Sequence, residues 1–146
     1  MELNGMFANS VSIIAIEKNE KFYSMACAWA TQIDYDRLIM CIGSQSDTGN
    51  VLNVGDMVGI SVLSSSQQDI ADKIGSKHSL DVDKRTLVDF DLCKSTYLIK
   101  GSKTKIIGKV IYIDHYKEAI KDKIVQIRVI EGSIDESSEF LIYKHH

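Results

Sequence analysis

The chain has 146 residues, of which 45% are hydrophobic and 25% are charged, and its formal net charge is −3. This length and balance predict one soluble globular domain over residues 1–146. A mildly acidic chain without a basic run argues against nucleic acid as a partner. No signal peptide and no membrane-spanning stretch is evident, so we expect no membrane partner. Three scattered cysteines without a CxxC pair predict a cytoplasmic protein.

Strand-like runs dominate the first part of the chain. Short segments rich in Val, Ile and other apolar residues alternate with polar turns, which is typical of β-structure. The run at 38–42 is apolar on both faces, so we expect it to be a central, buried strand. We predict strands at residues 10–16, 22–30, 38–42 and 57–63, with a hairpin turn at 17–20.

Two helices are predicted between and after these strands. The first covers about 47–54, with Ser46 as N-cap and Gly55 as the stop. The second starts at Ser66 and ends at Gly75. Asp69, three residues after Ser66, gives it a capping-box-like start. Residues 76–94 are polar and irregular, and we expect at most a short helix there, near 83–90.

The last third of the chain is strand-like again. We predict strands at residues 95–100, 104–113, 123–131 and 140–143. There is no repeated strand–helix rhythm, which favours antiparallel pairing. Closing a sheet of this many strands removes its exposed edges. The sequence therefore predicts a mainly β protein, a closed antiparallel Greek-key β-barrel with two or three short helices.

The first candidate for a binding segment is the small-residue strand from Ser24 to Thr31. Small side chains let a flat ligand lie against the backbone, where N–H and C=O groups can bind its edge. The segment also carries Trp29, the only tryptophan of the chain. The alternative is that the small residues serve packing and that Trp29 is a core or interface anchor.

The second candidate is the hydroxyl-rich loop at 43–50, directly after the predicted buried strand. Ser and Thr hydroxyls and free backbone N–H groups suit a phosphate. The alternative is a simple turn capped by Ser46. Asp47 brings a negative charge to this loop, which disfavours an anion.

Other chemistry is weakly indicated. Cys27 lies in the small-residue strand, but no positive charge nearby in sequence would stabilise a thiolate. We interpret Cys41 as a small buried hydrophobic residue. His78 and His115 stand at unrelated spacing, so we expect no metal site. The chain has neither a dinucleotide-binding glycine fingerprint nor a Walker loop.

Taken together, the order and spacing of these segments resemble the flavin reductase-like family of FMN-binding split β-barrels. The resemblance is carried by the strand and small-residue strand, the acidic turn, the buried strand, the hydroxyl loop and the helix that bears Gln67. The matching stretches are residues 7–14, 25–29, 38–42, 46–48, 58–63 and Gln67.

The resemblance implies an FMN-dependent oxidoreductase that works as a homodimer, with the flavin near the subunit boundary and FAD as a possible substitute. It further implies NAD(P)H or a redox protein as the second partner. It places the flavin ring and ribityl chain along Ala26, Cys27, Ala28 and Trp29. The remaining implied contacts are Ile42, Gly43 and Ser44 for ring and ribityl chain, Ser46 and Thr48 for the phosphate, and Asn50 nearby.

Two departures from the family pattern leave alternatives open. The family is richer in Ser and Thr where this chain has Ala26, Cys27 and Ala28. Many NADH-using members carry Gly-Asp-His where this chain has residues 121–123, Lys-Asp-Lys. One alternative is therefore a flavin-binding electron-transfer module that does not oxidise NAD(P)H. The other is a cofactor-free barrel dimer that serves as a binding protein.

Overall fold

A computed structural model of the chain describes residues 5–43, 46–115 and 122–144, with the side chain of His115 excepted. Ser44 and Lys121 lie outside the described residues. The described part is mainly β. Its strands are β1 Ser12–Lys18, β2 Lys21–Cys27, β3 Ala30–Asp34, β4 Arg37–Ile42, β5 Met57–Val62, β6 Phe90–Cys93, β7 Thr96–Ile99, β8 Thr104–His115 and β9 Lys123–Ile134. Its helices are α1 Asp47–Val51 and α2 Gln68–Gly75, with a 3₁₀ turn at Lys84–Thr86.

Seven of these strands form one sheet in the order β2-β1-β5-β8-β9-β4-β3, and every pairing is antiparallel. The other two strands, β6 and β7, form a separate hairpin. Antiparallel pairing and short helices are therefore confirmed. Among the described residues no helix has the length and apolar character that crossing a membrane would need.

The sheet must curl, because its two edge strands are adjacent in sequence. Six inter-strand gaps would span roughly 29 Å in a flat sheet. Only Ala28 and Trp29 separate the end of β2 from the start of β3, and three Cα steps reach about 11 Å at most. Yet no ladder joins β2 to β3 in the described part of the chain. The prediction of a closed barrel is therefore not confirmed; the described sheet is rolled but open between these strands.

The local turn and cap signals are partly confirmed. Asn19 and Glu20 have φ of +52° and +66°, as a type I′ hairpin turn requires. Ser46 caps α1, its Oγ accepting from the Gly49 N–H at 3.1 Å. The helix ends at Val51, however, so Gly55 does not stop it. Gly55 instead has φ +100° just before β5, a conformation that favours glycine.

The start of α2 differs from its prediction. The structure places Gln67 at the N-cap and gives it no side-chain cap bond. Its amide instead accepts from the Ser64 N–H at 2.9 Å and donates to the Lys100 carbonyl at 3.0 Å. The predicted capping box at Ser66 is therefore wrong. The N-cap is Gln67, and its side chain bonds to the backbone of Ser64 and Lys100 and does not cap the helix.

Strand β5 is buried on both faces. Val58 and Ile60 face one core cluster, and the alternation predicted for this strand holds. The opposite face is covered by the β6–β7 hairpin, where the Ile99 N–H donates to Ser61 Oγ at 2.9 Å. Gly59 lies directly beneath the Tyr97 backbone, and a Cβ at this position would collide with the Tyr97 carbonyl.

We therefore expect Gly59→Ala to destabilise the fold by about 1–3 kcal/mol, the usual cost of overpacking. Gly132→Ala is the matched control, since its Cβ would make only ordinary contacts of 3.6–3.9 Å. The control should change stability by less than about 0.5 kcal/mol. Urea unfolding of the three proteins measures this, and equal midpoints for the two variants would contradict the packing argument.

Candidate functional site

A pocket of about 590 Å³ opens where the rolled sheet is split, between the end of β2 and the start of β3. This volume lies in the usual range for small-molecule sites. We call it the Trp29 pocket. Its lining residues are Gly5, Met6, Phe7, Asn9, Met25, Ala26, Cys27, Ala28, Trp29, Cys41, Gly43 and Tyr143.

Strand β2 turns backbone groups as well as small side chains toward this opening. Both the N–H and the C=O of Ser24 bond to Ser79 Oγ at 3.1 Å, on the side away from β1. Because backbone direction alternates with a period of two residues, the N–H and C=O of Ala26 point to the same side. An edge strand with short side chains thus offers its backbone to a flat ligand.

Trp29 is held by its backbone, while its ring is largely exposed. The Cys41 N–H donates to the Trp29 carbonyl at 2.8 Å, which ties the β2–β3 link to β4. The side chain remains 63% exposed at the rim of the pocket. An exposed indole at a pocket rim is available to stack on an aromatic ligand.

Cys27 is a neutral thiol in this site. Burial raises the pKa of Cys27 to about 11. Its Sγ donates to the carbonyls of Trp29 and Cys41 at 3.6 and 3.5 Å. Burial also raises the pKa of Cys41. Neither thiol has the positive surroundings that would make it a nucleophile.

A second, smaller pocket of about 180 Å³ adjoins the first, and the two share Met25 and Ala26. We call it the Lys84 pocket. It lies where β2, α1 and the segment after α2 meet. Its lining residues are Ser24, Met25, Ala26, Ser46, Asp47, Thr48, Ile74, Gly75, Lys77, His78, Ser79 and Lys84.

Lys84 is the buried cation of this pocket, with 3% of its surface exposed. Its Nζ donates to the Ser24 carbonyl at 2.7 Å and to the Ile74 carbonyl at 2.9 Å. Burial lowers the pKa of Lys84 below its ordinary value. Ser24 Oγ and Thr48 Oγ1 are buried as well, and neither has a hydrogen-bond partner within the described residues.

A model of the family described as flavin reductase like domain matches residues 4–146. The chain belongs to this family. No curated protein matches it.

Solved structures share the family fold. The NADH:FAD oxidoreductase SgcE6 of Streptomyces globisporus C-1027 has a TM-score of 0.83 and 19% identity over 95% of this chain and 83% of its own. An FMN-binding protein from Thermus thermophilus with bound p-hydroxybenzaldehyde has a TM-score of 0.79 and 15% identity, covering 93% of this chain and 79% of that one. A putative flavin reductase from Haemophilus somnus 129PT has a TM-score of 0.83 and 11% identity, covering 96% and 89%.

Seven of the ten residues that the sequence suggested for the flavin site line the two pockets. Ala26, Cys27, Ala28, Trp29 and Gly43 line the Trp29 pocket, and Ala26, Ser46 and Thr48 line the Lys84 pocket. Ile42 is fully buried in the core, and Asn50 is exposed on α1; neither lines these pockets. Ser44 lies outside the described residues.

Sequence reasoning missed the residues that fold in from elsewhere. Ser79 and Lys84 build the polar end of the Lys84 pocket together with Ser24, the first residue of the small-residue strand, and Phe7 and Tyr143 border the Trp29 pocket. No sequence pattern indicated Ser79 or Lys84, since they lie 55 and 60 positions from their partner Ser24.

Lys123 lies at the position where many NADH-using members of the family carry histidine, and its side chain makes a structural contact. Lys123 Nζ donates to the Gly49 carbonyl of α1 at 2.8 Å. Asp122 borders a neighbouring groove together with Trp29 and Cys41. Lys121 and the side chain of His115 lie outside the described residues.

His78 is close to Asp47, with Nδ1 to Oδ2 at 3.7 Å, and is mostly exposed. Within the described part of the chain, no three metal-ligating side chains come together.

The buried thiol predicts an alkaline loss of stability. A thiol held neutral by the fold, with a pKa of about 11 against an ordinary 9.0, stays protonated while the unfolded chain ionises. The free energy of unfolding should then fall by about 2 kcal/mol between pH 9 and pH 11. Cys27→Ala should lose this component, whereas the control Cys93→Ala should keep it. Urea unfolding across this pH range measures it, and parallel curves for the wild type and Cys27→Ala would contradict it.

Proposed function

We propose that this chain is an FMN-dependent oxidoreductase that passes reducing equivalents through a flavin bound in the Trp29 pocket. The observation that supports it is the continuity of the two pockets. One end is wide, flanked by aromatic side chains and backed by small residues; the other is narrow, polar and positively charged. An isoalloxazine ring matches the wide end, and a ribityl phosphate tail matches the narrow, polar end. The names of the related structures, an FMN-binding protein and an NADH:FAD oxidoreductase, agree with a flavin.

The residues present fit such a group. Ala26 and Ala28 leave the ring room to approach the backbone of β2, whose outward N–H and C=O groups then bond the ring edge. Trp29 covers the ring from the rim. The neutral Cys27 behind it adds no charge that would compete with the ring. Flavin supplies the redox chemistry when bound, and the protein supplies position and hydrogen bonds.

We also propose a cytoplasmic homodimer built from this single domain. The edge strand β3 is exposed along its whole length. Trp29 (63% exposed), Ile33 (48%) and Tyr35 (97%) leave large apolar surface beside the pocket, which is typical of an interaction surface. The cysteines are free thiols, in keeping with a reducing compartment. Sedimentation velocity measures the dimer, which has twice the 16.3 kDa mass of the chain.

The single tryptophan of the chain provides a direct test of flavin binding. FMN added to the apoprotein should quench Trp29 fluorescence with a micromolar Kd, because the ring stacks within reach of the indole. Flavin fluorescence should be quenched in the same titration. The melting temperature should rise, since a ligand that binds only the native state stabilises it.

Ala28→Phe should weaken FMN binding about tenfold or more, a cost of roughly 1.4 kcal/mol, because the new ring fills the pocket. Glu136→Phe is the control, since Glu136 is exposed in a turn and does not line this pocket, and it should bind within about twofold of wild type. If wild type shows no quenching and no melting shift with saturating FMN, the result would contradict the FMN proposal and favour the alternative of a cofactor-free binding protein.

A flavin-binding electron carrier that does not oxidise NAD(P)H is the second candidate. It is favoured by Lys123, whose amino group is bound to the α1 backbone in the place where many NADH-using relatives carry histidine. Such a carrier would exchange electrons with a redox protein.

Stopped-flow mixing of the FMN-loaded protein with NADH separates the two candidates. A reductase should bleach the flavin absorbance within seconds at saturating NADH. A carrier should bleach no faster than free FMN under the same conditions, yet be bleached at once by dithionite. The free-FMN trace is the control for the reaction without protein.

A further inference from the structure

One edge of the β6–β7 hairpin has no partner strand. In the described part of the chain β6 pairs only with β7. The Ile99 N–H of β7 donates to Ser61 Oγ, away from β6, so Phe90 and Ile99 form a non-hydrogen-bonded pair. The N–H and C=O of Phe90 therefore point away from β7, and those of Leu92 follow with the two-residue period. These four groups have no hydrogen-bond partner among the residues that the structure describes.

This free edge of β6 is open. The Leu92 side chain is 66% exposed, and Asp91 is exposed as well. A cleft of about 640 Å³ lies beside the start of the strand, lined by Asp89, Phe90 and Asp91 and by Ile70 of α2. The cleft shares no lining residue with the Trp29 pocket or the Lys84 pocket. An added strand therefore has room beside β6 and is remote from both pockets.

The charge along this edge is negative. Asp89 and Asp91 are two positions apart, so their side chains lie on one face of the strand. Neither carboxylate has an ion pair within the described residues. Phe90 and Leu92 lie on the other face, where the Phe90 ring packs against Phe22. Because opposite charges and apolar side chains attract across neighbouring strands, the edge favours a segment in which basic and apolar residues alternate.

The two edges of the seven-stranded sheet differ from this one. On β2, the outward N–H and C=O of Ser24 are both bonded to Ser79 Oγ, and those of Ala26 face the Trp29 pocket. The other edge, β3, is the one assigned above to the dimer. The edge of β6 is thus the strand edge that neither the fold nor the proposed function uses.

We propose that β6 is a docking edge, which binds an extended basic segment of a partner protein as a third strand of the β6–β7 hairpin. Backbone hydrogen bonds to Phe90 and Leu92 supply the affinity, as in other cases of strand addition. Asp89 and Asp91 select Lys or Arg at alternate positions of the segment. The docking edge goes beyond the proposed function and is independent of flavin, because it shares no residue with the flavin pockets.

The probe is a dye-labelled hexapeptide of alternating lysine and valine, whose binding to the full chain is measured by fluorescence anisotropy. We expect a submillimolar Kd that weakens with added salt, because salt screens exposed charges. A glutamate–valine hexapeptide is the control for charge and should bind at least about fivefold more weakly. A lysine–valine hexapeptide that is N-methylated at each valine is the control for backbone pairing. It should also bind at least about fivefold more weakly, because it loses the N–H groups that face Phe90 and Leu92.

Leu92→Pro tests the edge from the side of the protein. The Leu92 N–H points away from β7, so proline removes a donor of the edge without breaking the hairpin ladder. Binding of the lysine–valine peptide should fall about fivefold. Leu92→Ala keeps the N–H and is the matched control, which should lose no more than about twofold. The double variant Asp89→Asn, Asp91→Asn leaves the backbone unchanged, so it guards against misfolding of the proline variant. It should weaken this peptide several-fold and leave the glutamate–valine peptide no weaker than before.

The outcomes decide the docking edge without reference to flavin. No binding at about 1 mM peptide would overturn it, and so would equal binding of the lysine and glutamate peptides or of the N-methylated peptide. Binding that is unchanged in both Leu92→Pro and the double Asn variant would also overturn it, because the peptide then pairs with another edge. Apoprotein and FMN-loaded protein should bind the peptide equally, so a failure of the FMN titration leaves the docking edge intact.

Discussion

The two-residue link between β2 and β3 constrains this whole structure. Ala28 and Trp29 join strands that stand at opposite edges of a seven-stranded sheet. So short a link forces the sheet to roll until its edges approach, even though no hydrogen-bond ladder joins them in the described residues. The opening left between them is the Trp29 pocket. Fold and candidate site therefore have one cause, because the same residues limit the curvature and line the cavity.

The second pocket depends on a different contact, the crossing of β2 by the segment after α2. Ser79 bonds both backbone groups of Ser24, and Lys84 bonds the Ser24 carbonyl and the end of α2. These bonds occupy the N–H and C=O of Ser24, which point away from β1. The equivalent groups at Ala26, two residues on, stay on the open side. One strand thus carries a closed polar end and an open backbone end.

The departures from the family pattern lie in the Trp29 pocket, which Ala26, Cys27 and Ala28 line, and at Lys123. Ala26, Cys27 and Ala28 offer no hydroxyl, and the raised pKa of Cys27 leaves a neutral thiol there. Recognition in the Trp29 pocket is then left to backbone groups and to shape. At Lys123, the amino group is tied to the Gly49 carbonyl. These residues lie in a sheet that keeps its strand pairing, β2 with β1 and β4 with β9.

The sequence by itself determined the features whose causes lie within a few residues. The hairpin turn before β2, the Ser46 cap of α1 and the existence of strand β4 follow from local hydrogen bonds and apolar periodicity, although β4 lies next to the sheet edge and buries only Met40 and Ile42. The resemblance to the flavin reductase-like family rested on the order of such segments. Only the tertiary structure decided where β2 ends, since Trp29 is set by its bond to Cys41. It likewise assigned Gln67 to Ser64 and Lys100 and brought Lys84 to Ser24. The bonds of Gln67 to Lys100 and of Lys84 to Ser24 join positions 33 and 60 residues apart, and the packing that selects them leaves no periodic pattern in the local sequence.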